Sequence, residues 1–415
     1  MREREAKLIV SDSFELPGLS DAVTGAVLGE AVEWVADDVY HDTADLRLAR
    51  WGCTIRHREG EGWTVKIPKP ADGLVLDRIE VGFGGDRDAP PTRALNLVGS
   101  LTRGADVGEV AHLRTRRTRR DVTLPDGARV GELTDDVVRG TSRDGVESSF
   151  REIEVELAEH ADDRWWSEIL QRLGDARSAE ERPVPQAVRV LGTAAMEPPD
   201  VVVPTLRPKP TAHEVIQAAF ASSVAQLLLQ LPGARLGTDP EGVHQARVAA
   251  RRMNSDLKTF RPLLDADWAA HLRGELRWMI DALGAVRDCD VLGTKLREVV
   301  ARHPEIDPEA AERVLHQVDL QRRAGRRRLL RCLGDDRATR LFDDLVAAAA
   351  SPPTRRRAER PARKVMPKLV RKHWNRLERA IDALQRPPTP AELHAVRILA
   401  KRLRYATEAV APSAG

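Results

Sequence analysis

The sequence predicts a multidomain α+β protein, in which an antiparallel barrel with a charged lumen is followed by an all-α helical-bundle domain. In the first half, charged and apolar residues alternate in short segments, a period typical of strands. In the second half, apolar residues recur at helical spacing. The chain has 415 residues, which is too many for one core and favours two domains.

A proline-rich segment separates the two patterns. Residues 196–210 contain five prolines, and proline disfavours both helices and central strands. We therefore predict a barrel domain over 1–197, an extended linker over 198–210 and a helical domain over 211–415. Charge divides in the same way, since residues 1–205 carry 27 basic and 39 acidic residues and the remainder carries 39 and 25. An acidic half suggests cation binding, and a basic half suggests a polyanionic partner.

About seven segments of the first half place charges of both signs on one strand face. One such strand would be an ordinary surface strand with its charges in water. Seven of them favour a barrel with a charged, wet lumen and an apolar outer face covered by helices. We expect those helices at 19–35 and 162–173. The charged segments are residues 3–7, 56–58, 63–67, 78–81, 117–124, 132–136 and 152–157.

The charges of such a lumen indicate its chemistry. Arginine binds phosphate oxygens through a planar fork, and lysine binds them as a point charge. Carboxylates beside a phosphate would repel it unless a divalent cation lay between them, and oxygen ligands favour Mg²⁺ or Mn²⁺. Such a cation can polarise phosphorus and activate water. The lumen is therefore predicted to be a phosphate-plus-metal site, for which phosphoanhydride hydrolysis is the natural reaction.

Several motifs, in order, resemble the CYTH domain of the triphosphate tunnel metalloenzyme superfamily. They are Glu3-x-Glu5-x-Lys7, Tyr40-x-Asp42-Thr43, Arg56-x-Arg58, Trp63-x-x-Lys66, Arg78-x-Glu80 and Glu152-x-Glu154-x-Glu156. The resemblance covers about residues 1–197. It implies an eight-stranded antiparallel tunnel that hydrolyses inorganic triphosphate, thiamine triphosphate or RNA 5′-triphosphates, or cyclises ATP.

The resemblance also implies roles for individual residues of the tunnel. Those implied in catalysis are Glu3, Glu5, Lys7 and Glu80. Those implied in binding the triphosphate are Arg56, Arg58, Lys66, Arg78 and one or both of Arg117 and Arg119. Those implied in holding Mg²⁺ or Mn²⁺ are Glu3, Glu5, Asp136, Glu154 and Glu156.

One position departs from the family pattern. Members usually carry Ser-Lys near the end of the domain, and that lysine assists substrate binding or the leaving group. The corresponding stretch here is Pro185-Gln186, so Gln186 stands where the lysine is expected. We therefore keep a non-catalytic protein that binds or senses phosphate chains as the alternative to a triphosphatase.

The second half contains one basic motif twice, 150 residues apart. On a helix, His244, Arg247 and Arg251 fall on one narrow face, and the second copy presents His394, Arg397 and Lys401 in the same way. A row of cations with few anions between them repels itself. We expect a polyanion to lie along both rows.

These helices, together with Leu283-Gly284-x-x-Arg287-Asp288-x-Asp290, resemble the CHAD domain over about residues 211–415. That resemblance implies two duplicated helical bundles, a basic channel and binding of inorganic polyphosphate. The counterpart of residues 287–290 would fall near position 440, so we expect an incomplete second bundle. The implied polyphosphate ligands are His244, Arg247, Arg251, Arg252, Lys258, His394, Arg397, Lys401 and Arg404.

Composition disfavours other classes of protein. The aromatic content of 4% argues against an RNA-associated protein, since sequence-tolerant single-strand binding uses aromatic stacking. Three widely spaced cysteines show no metal-ligand spacing and suit a reducing compartment. We expected neither a signal peptide nor a membrane span. The expected location is the cytoplasm, in association with polyphosphate granules.

Overall fold

A computed structural model describes residues 2–17, 27–69, 76–158, 164–173 and 184–411. The side chains of residues 2–3, 164–167 and 170 lie outside this description. The chain divides into two compact units, Met1–Pro199 and Asp200–Gly415. This division falls inside the predicted linker, and each unit is described by itself.

The first unit is a closed antiparallel barrel, as predicted. In sheet order its eight strands are β7, β3, β4, β5, β6, β1, β9 and β8, and β8 pairs with β7 to close the barrel. The short strand β2 pairs with β7 outside the barrel. The strands are β1 (Arg2–Val10), β2 (Val27–Leu28), β3 (Val32–Thr43), β4 (Thr54–Arg58), β5 (Gly62–Pro68), β6 (Leu76–Phe83), β7 (Val107–Thr123), β8 (Arg129–Ser142) and β9 (Glu147–Leu157).

Short helices accompany the barrel, and one of the two expected covering helices is present. The helices are α1 (Arg47–Arg50), α2 (Thr92–Leu97), α3 (Gly99–Thr102), α4 (Arg164–Leu173), α5 (Gln186–Leu191) and α6 (Thr193–Met196). Helix α4 matches the expectation for 162–173. The helix expected at 19–35 is wrong from residue 27 onward, where β2 and β3 lie, and residues 18–26 fall outside the described part. Val32 and Val35 of this segment are about half exposed on β3.

The side-chain alternation of β1 and β9 separates the lumen from the outer core. Glu5 and Lys7 lie opposite Glu156 and Glu154 in the antiparallel register. The apolar residues that alternate with these charges point out of the barrel and form an outer core, to which Ile169 of α4 also belongs. Because a strand presents alternate residues to opposite faces, one register places the carboxylates inside and the apolar side chains under the helix.

The second unit is all-helical, as predicted. Its helices are α7 (Ala212–Leu236), α8 (Pro240–Thr259), α9 (Ala266–Arg302), α10 (Pro308–Leu333), α11 (Asp336–Ala350), α12 (Ala362–Asp382) and α13 (Pro390–Val410). The predicted capping box of Thr211 and Glu214 begins α7. The sequence predicts that the helix beginning at Ala266 ends at Gly284, and this is wrong, because α9 continues through that residue. A Cβ at position 284 would lie 3.4 Å from Nη2 of Arg247, so the glycine admits that arginine.

Helix α7 is long and apolar enough to cross a membrane by length and composition, which the sequence analysis did not anticipate. Its most apolar window has a mean hydropathy of 1.4, and 56% of that window is buried inside the protein. Phe220, Leu227 and Leu228 are fully buried, and α7 packs against α8 and α11. These contacts are those of a core helix.

Helices α12 and α13 repeat α7 and α8 at the same 150-residue offset as the basic motif. Both hairpins join a long helix to a basic one. A capping box begins the first helix of the first hairpin, α7, and the second helix of the second hairpin, α13. In the first hairpin Val224, Leu231 and Val243 are buried. Their counterparts Trp374, Ile381 and Leu393 are each about half exposed. At these positions the second hairpin is therefore less covered by the rest of the helical unit than the first.

Candidate functional site

Charged side chains line a cavity of about 200 Å³ in the barrel lumen. Every strand of the barrel except β3, which contributes Tyr40, places a charged residue on the lining, because alternate residues of each strand point inward. The lining cations are Lys7, Arg56, Arg58, Lys66, Arg78 and Arg117, and the lining anions are Glu61, Glu80, Glu132, Glu154 and Glu156.

A buried cluster of three carboxylates lies beside this cavity. Asp136, Glu152 and Glu154 can each present an oxygen within 4.8 Å of the others. Lys7 places its Nζ 3.2 Å from Oε1 of Glu152 and 3.0 Å from Oε2 of Glu154. Although burial opposes a charged amine, Glu152 and Glu154 raise the pKa of Lys7 well above its ordinary value. Lys7 is therefore held as a cation among the carboxylates.

Arg117 and Gln186 hold the same cluster from other sides. Arg117 donates to both oxygens of Asp136, at 2.8 and 2.5 Å, and lies 3.3 Å from Oε2 of Glu154. Gln186, the first residue of α5, donates its Nε2 to Asp136 at 2.8 Å and to Glu152 at 3.1 Å. Gln186, which stands where the family resemblance implies a lysine, thus lies inside the site and presents an uncharged amide to it.

Proton affinities differ strongly within this cluster. Burial raises the pKa of Glu152 above its ordinary value. Burial and the neighbouring Glu154 raise the pKa of Glu5 well above its ordinary value. For Glu154, burial is outweighed by Lys7 and Arg117, which hold its pKa well below the ordinary value. Negative charge is therefore concentrated on Glu154, next to the cavity.

The carboxylates fit a hard divalent cation. They offer only oxygen ligands, and Oε2 of Glu152 is buried without a hydrogen-bond partner among the described residues. Of the predicted metal ligands, Asp136 and Glu154 belong to the cluster, Glu156 lines the cavity, and the Glu3 side chain lies outside the described part. Glu152 was not chosen, although it belongs to the same alternation as Glu154. That Glu152 belongs to the cluster follows only from the register of β8 and β9, in which Asp136 lies opposite Glu152.

Asp38 organises the arginine pair of β4. It accepts two hydrogen bonds from Arg58, at 2.7 and 2.8 Å, and its Oδ1 lies 3.7 Å from Nε of Arg56. Asp38 is 1% exposed, and although burial opposes its charged form, Arg58 and Arg56 lower its pKa. Sequence reasoning missed Asp38 because it lies close behind the segment assigned to a helix.

The remaining predicted tunnel residues are divided between the lumen and its surroundings. Arg78 pairs with Glu5, and Lys66 lies 3.4 Å from Glu80. Arg117 lines the cavity, whereas the guanidinium of Arg119 lies 5.8 Å from the ring centre of Trp34 and is not among the lining residues.

Tyr40 and Asp42 of the Tyr40-x-Asp42-Thr43 motif have two separate roles. Tyr40 lines the lumen, and burial raises the pKa of its hydroxyl. Asp42 accepts hydrogen bonds from the backbone N–H groups of Thr43, Leu48 and Ala49. Asp42 therefore holds the α1 turn and does not contribute to the lumen.

A second cavity, of about 630 Å³, lies in the helical unit between the two basic helices. The predicted residues that line it are Arg247, Arg251, Lys258, His394, Arg397 and Lys401. Arg273 and Arg277 of α9, His373 of α12 and Arg402 also line it. Sequence reasoning missed the α9 and α12 residues because their helices carry no copy of the basic motif.

Burial and mutual repulsion both act on the lysines of this groove. Burial, and then Arg402 and Arg273, lower the pKa of Lys258. Burial, and then Arg397 and Arg251, lower the pKa of Lys401. None of the described residues that line the groove is a carboxylate, so its lining carries a large excess of positive charge.

Three predicted polyphosphate ligands lie elsewhere. Among the residues that line this cavity, His244, Arg252 and Arg404 do not occur. Arg252 and Arg404 both pair with Glu408, at 3.3 and 3.4 Å. Arg247 lines the groove while pairing with Asp288 at 2.7 Å, as expected for an aspartate that orients an arginine.

Comparisons with known proteins cover both units. The CYTH domain family model matches residues 1–187, and the CHAD domain family model matches residues 218–415. The uncharacterized protein Rv2226 of Mycobacterium tuberculosis strain H37Rv is 30% identical over an alignment 434 residues long, which covers 98% of this chain and 82% of that protein. The uncharacterized protein MT2285 of strain CDC 1551 is 29% identical with the same coverage.

Two solved structures resemble parts of the chain. PptA from Streptomyces chartreusis is 26% identical, with a TM-score of 0.43 over 49% of this chain and 76% of that chain. The CHAD domain from the plant Ricinus communis is 26% identical, with a TM-score of 0.39 over 51% of this chain and 70% of that chain. The family matches and the full-length relatives confirm the resemblance drawn from the motifs: this chain belongs to the proteins that join a CYTH domain to a CHAD domain.

Proposed function

We propose that the barrel is a metal-dependent triphosphatase that hydrolyses inorganic triphosphate or a related triphosphate. One observation carries the proposal: the lumen brings a set of phosphate-binding cations against a buried carboxylate cluster around a single cavity. Membership of the CYTH family supports it. A surface with either charge alone would bind phosphate or metal, whereas this lumen suits both together.

The lumen residues divide the work by position. Arg56, Arg58 and Lys66 bind the phosphate chain and neutralise charge on its oxygens. Lys7 and Arg117 lie between the carboxylates and the cavity, so they orient the phosphoryl group next to the cluster. Asp136, Glu152 and Glu154 would hold Mg²⁺ or Mn²⁺, which supplies Lewis-acid activation of phosphorus and of water.

Gln186 gives specific support to the alternative of binding without turnover. Its amide donates to Asp136 and Glu152 but carries no charge and supplies no proton to a leaving group. Charge on the departing phosphate must therefore be neutralised by the other cations of the lumen. Binding tolerates that change more readily than hydrolysis does.

We propose that the helical unit binds inorganic polyphosphate in the groove between α8 and α13. Burial, and after it repulsion from neighbouring arginines, lowers the pKa values of Lys258 and Lys401, and a linear polyanion would relieve that repulsion. Tyr405 is the one aromatic side chain besides the histidines among the lining residues, so the groove has little of the stacking surface that single-stranded RNA uses. We extend the proposal to tethering of the enzyme at cytoplasmic polyphosphate granules.

Phosphate release from inorganic triphosphate by the full chain tests the hydrolase proposal. We expect release with Mg²⁺ or Mn²⁺ and none with a chelator, because the carboxylate cluster needs a divalent cation to activate water. Release that is unaffected by the chelator would contradict the metal role. Binding of triphosphate without release under either metal would replace the hydrolase by the phosphate-chain binding protein.

A further inference from the structure

The turn between β4 and β5 places a carboxylate at the rim of the lumen. Residues 59–61 form this turn, with Gly60 and Gly62 at φ angles of +82° and +85°, a region that favours glycine. The backbone N–H of Glu61 donates to the carbonyl of Arg58 at 3.1 Å. This closed turn directs Glu61 toward the cavity, which it lines, whereas Glu59 does not line it.

Glu61 contacts both arginines of β4. Its oxygens lie 3.3 and 3.4 Å from Nη1 of Arg58, and Oε2 lies 3.9 Å from Nη2 of Arg56. A carboxylate between two guanidinium groups occupies the position that a phosphate group would take. Its side chain is 55% exposed, so water competes for these contacts.

The opposite edge of Arg58 is held differently. Asp38 accepts from Nε and Nη2 at 2.7 and 2.8 Å and is 1% exposed. Breaking a buried pair is costly, whereas exposed ion pairs contribute little. Arg58 therefore has one permanent partner, Asp38, and one that a stronger anion can replace, Glu61.

We propose that Glu61 is a displaceable carboxylate that occupies the phosphate position between Arg56 and Arg58 and thereby limits the affinity of the lumen for phosphate chains. The inference rests on the proposed triphosphate binding and adds a residue that determines its strength. A triphosphate, which also reaches Lys66 and Arg117, replaces Glu61. A weak anion that contacts only the two arginines does not.

The test compares Glu61→Gln with Glu59→Gln, a matched change in the same turn. Calorimetric titration of each full chain with inorganic triphosphate, in chelator and at low salt, gives dissociation constants. We expect Glu61→Gln to bind roughly two- to five-fold more tightly than wild type, with Glu59→Gln close to wild type. The difference should shrink as salt rises, because exposed charges are screened. Both substitutions are exposed, and melting temperatures check that the fold is retained.

The outcomes separate this inference from the proposed function. If wild type binds triphosphate and the two variants are equal, Glu61 is not a competitor and the inference fails alone. Weaker binding by Glu61→Gln would overturn it as well, because it would show that Glu61 positions the arginines. If none of the three chains binds triphosphate, either in chelator or with excess Mn²⁺, the proposed function fails and the inference fails with it.

Discussion

Replacing Lys7 by methionine is expected to destabilise the barrel by about 3–5 kcal/mol, the usual cost of removing one partner of a buried ion pair. Lys7 is 6% exposed and is the cation nearest to Glu152 and Glu154. Without it, these carboxylates stay buried with less compensation from Arg117 and Gln186. The same substitution should abolish triphosphate binding, because Lys7 lines the cavity.

Lys66→Met separates the two effects of Lys7→Met. Lys66 also lines the cavity, but it is 16% exposed and its partner Glu80 is 34% exposed, at 3.4 Å. We expect a stability loss below about 1 kcal/mol for Lys66→Met, together with weaker triphosphate binding. Denaturant titration of the full chain in chelator, read through amide exchange in β1 and β9, measures the barrel alone. Equal stability losses in the two variants would contradict the central position of Lys7.

Reversing two charges in the helical groove should remove polyphosphate binding. Arg397→Glu/Lys401→Glu places two anions on the α13 wall of the groove. Like charges brought together at a binding surface cost several kcal/mol, so we expect affinity to fall by about 10²-fold or more at low salt. Fluorescence anisotropy with labelled polyphosphate measures the change.

The helical domain offers a control for total charge. Arg328→Glu/Arg331→Glu makes the same change in net charge on exposed positions of α10, away from the groove. We expect this variant to keep most of the affinity. An equal loss in both variants would show that polyphosphate responds to the overall charge of the domain and not to the groove.

The sequence was most informative where local alternation alone decides which way a side chain points. Glu5, Lys7 and Glu154 follow from the period of a strand, and the lumen contains all three. The choice between Glu152 and Glu156 as cluster members needed the β8–β9 register, which alternation does not determine. Asp38 was missed because the helix expected over 19–35 covered the start of β3.

The same limit applies to the helical half. The helical arc correctly grouped Arg247, Arg251 and Lys401 on the groove. It also included Arg404. This side chain instead pairs with Glu408, one turn further along α13. Arg273 and Arg277 reach the groove only because α9 packs against α8, a tertiary contact that no pattern within α9 predicts.

The central claim is that the lumen is one joint site for triphosphate and a divalent cation. Triphosphate binding with and without Mn²⁺ tests this claim most directly. Lys7 and Arg117 now pair with carboxylates of the cluster, so a cation held there would free them for phosphate. We predict that excess Mn²⁺ strengthens binding to the wild-type chain by about 5- to 150-fold over chelator, and that Glu152→Gln/Glu154→Gln loses this gain. Equal triphosphate affinity with and without Mn²⁺ would contradict a joint site. A double variant that gains as much affinity from Mn²⁺ as wild type would contradict it too.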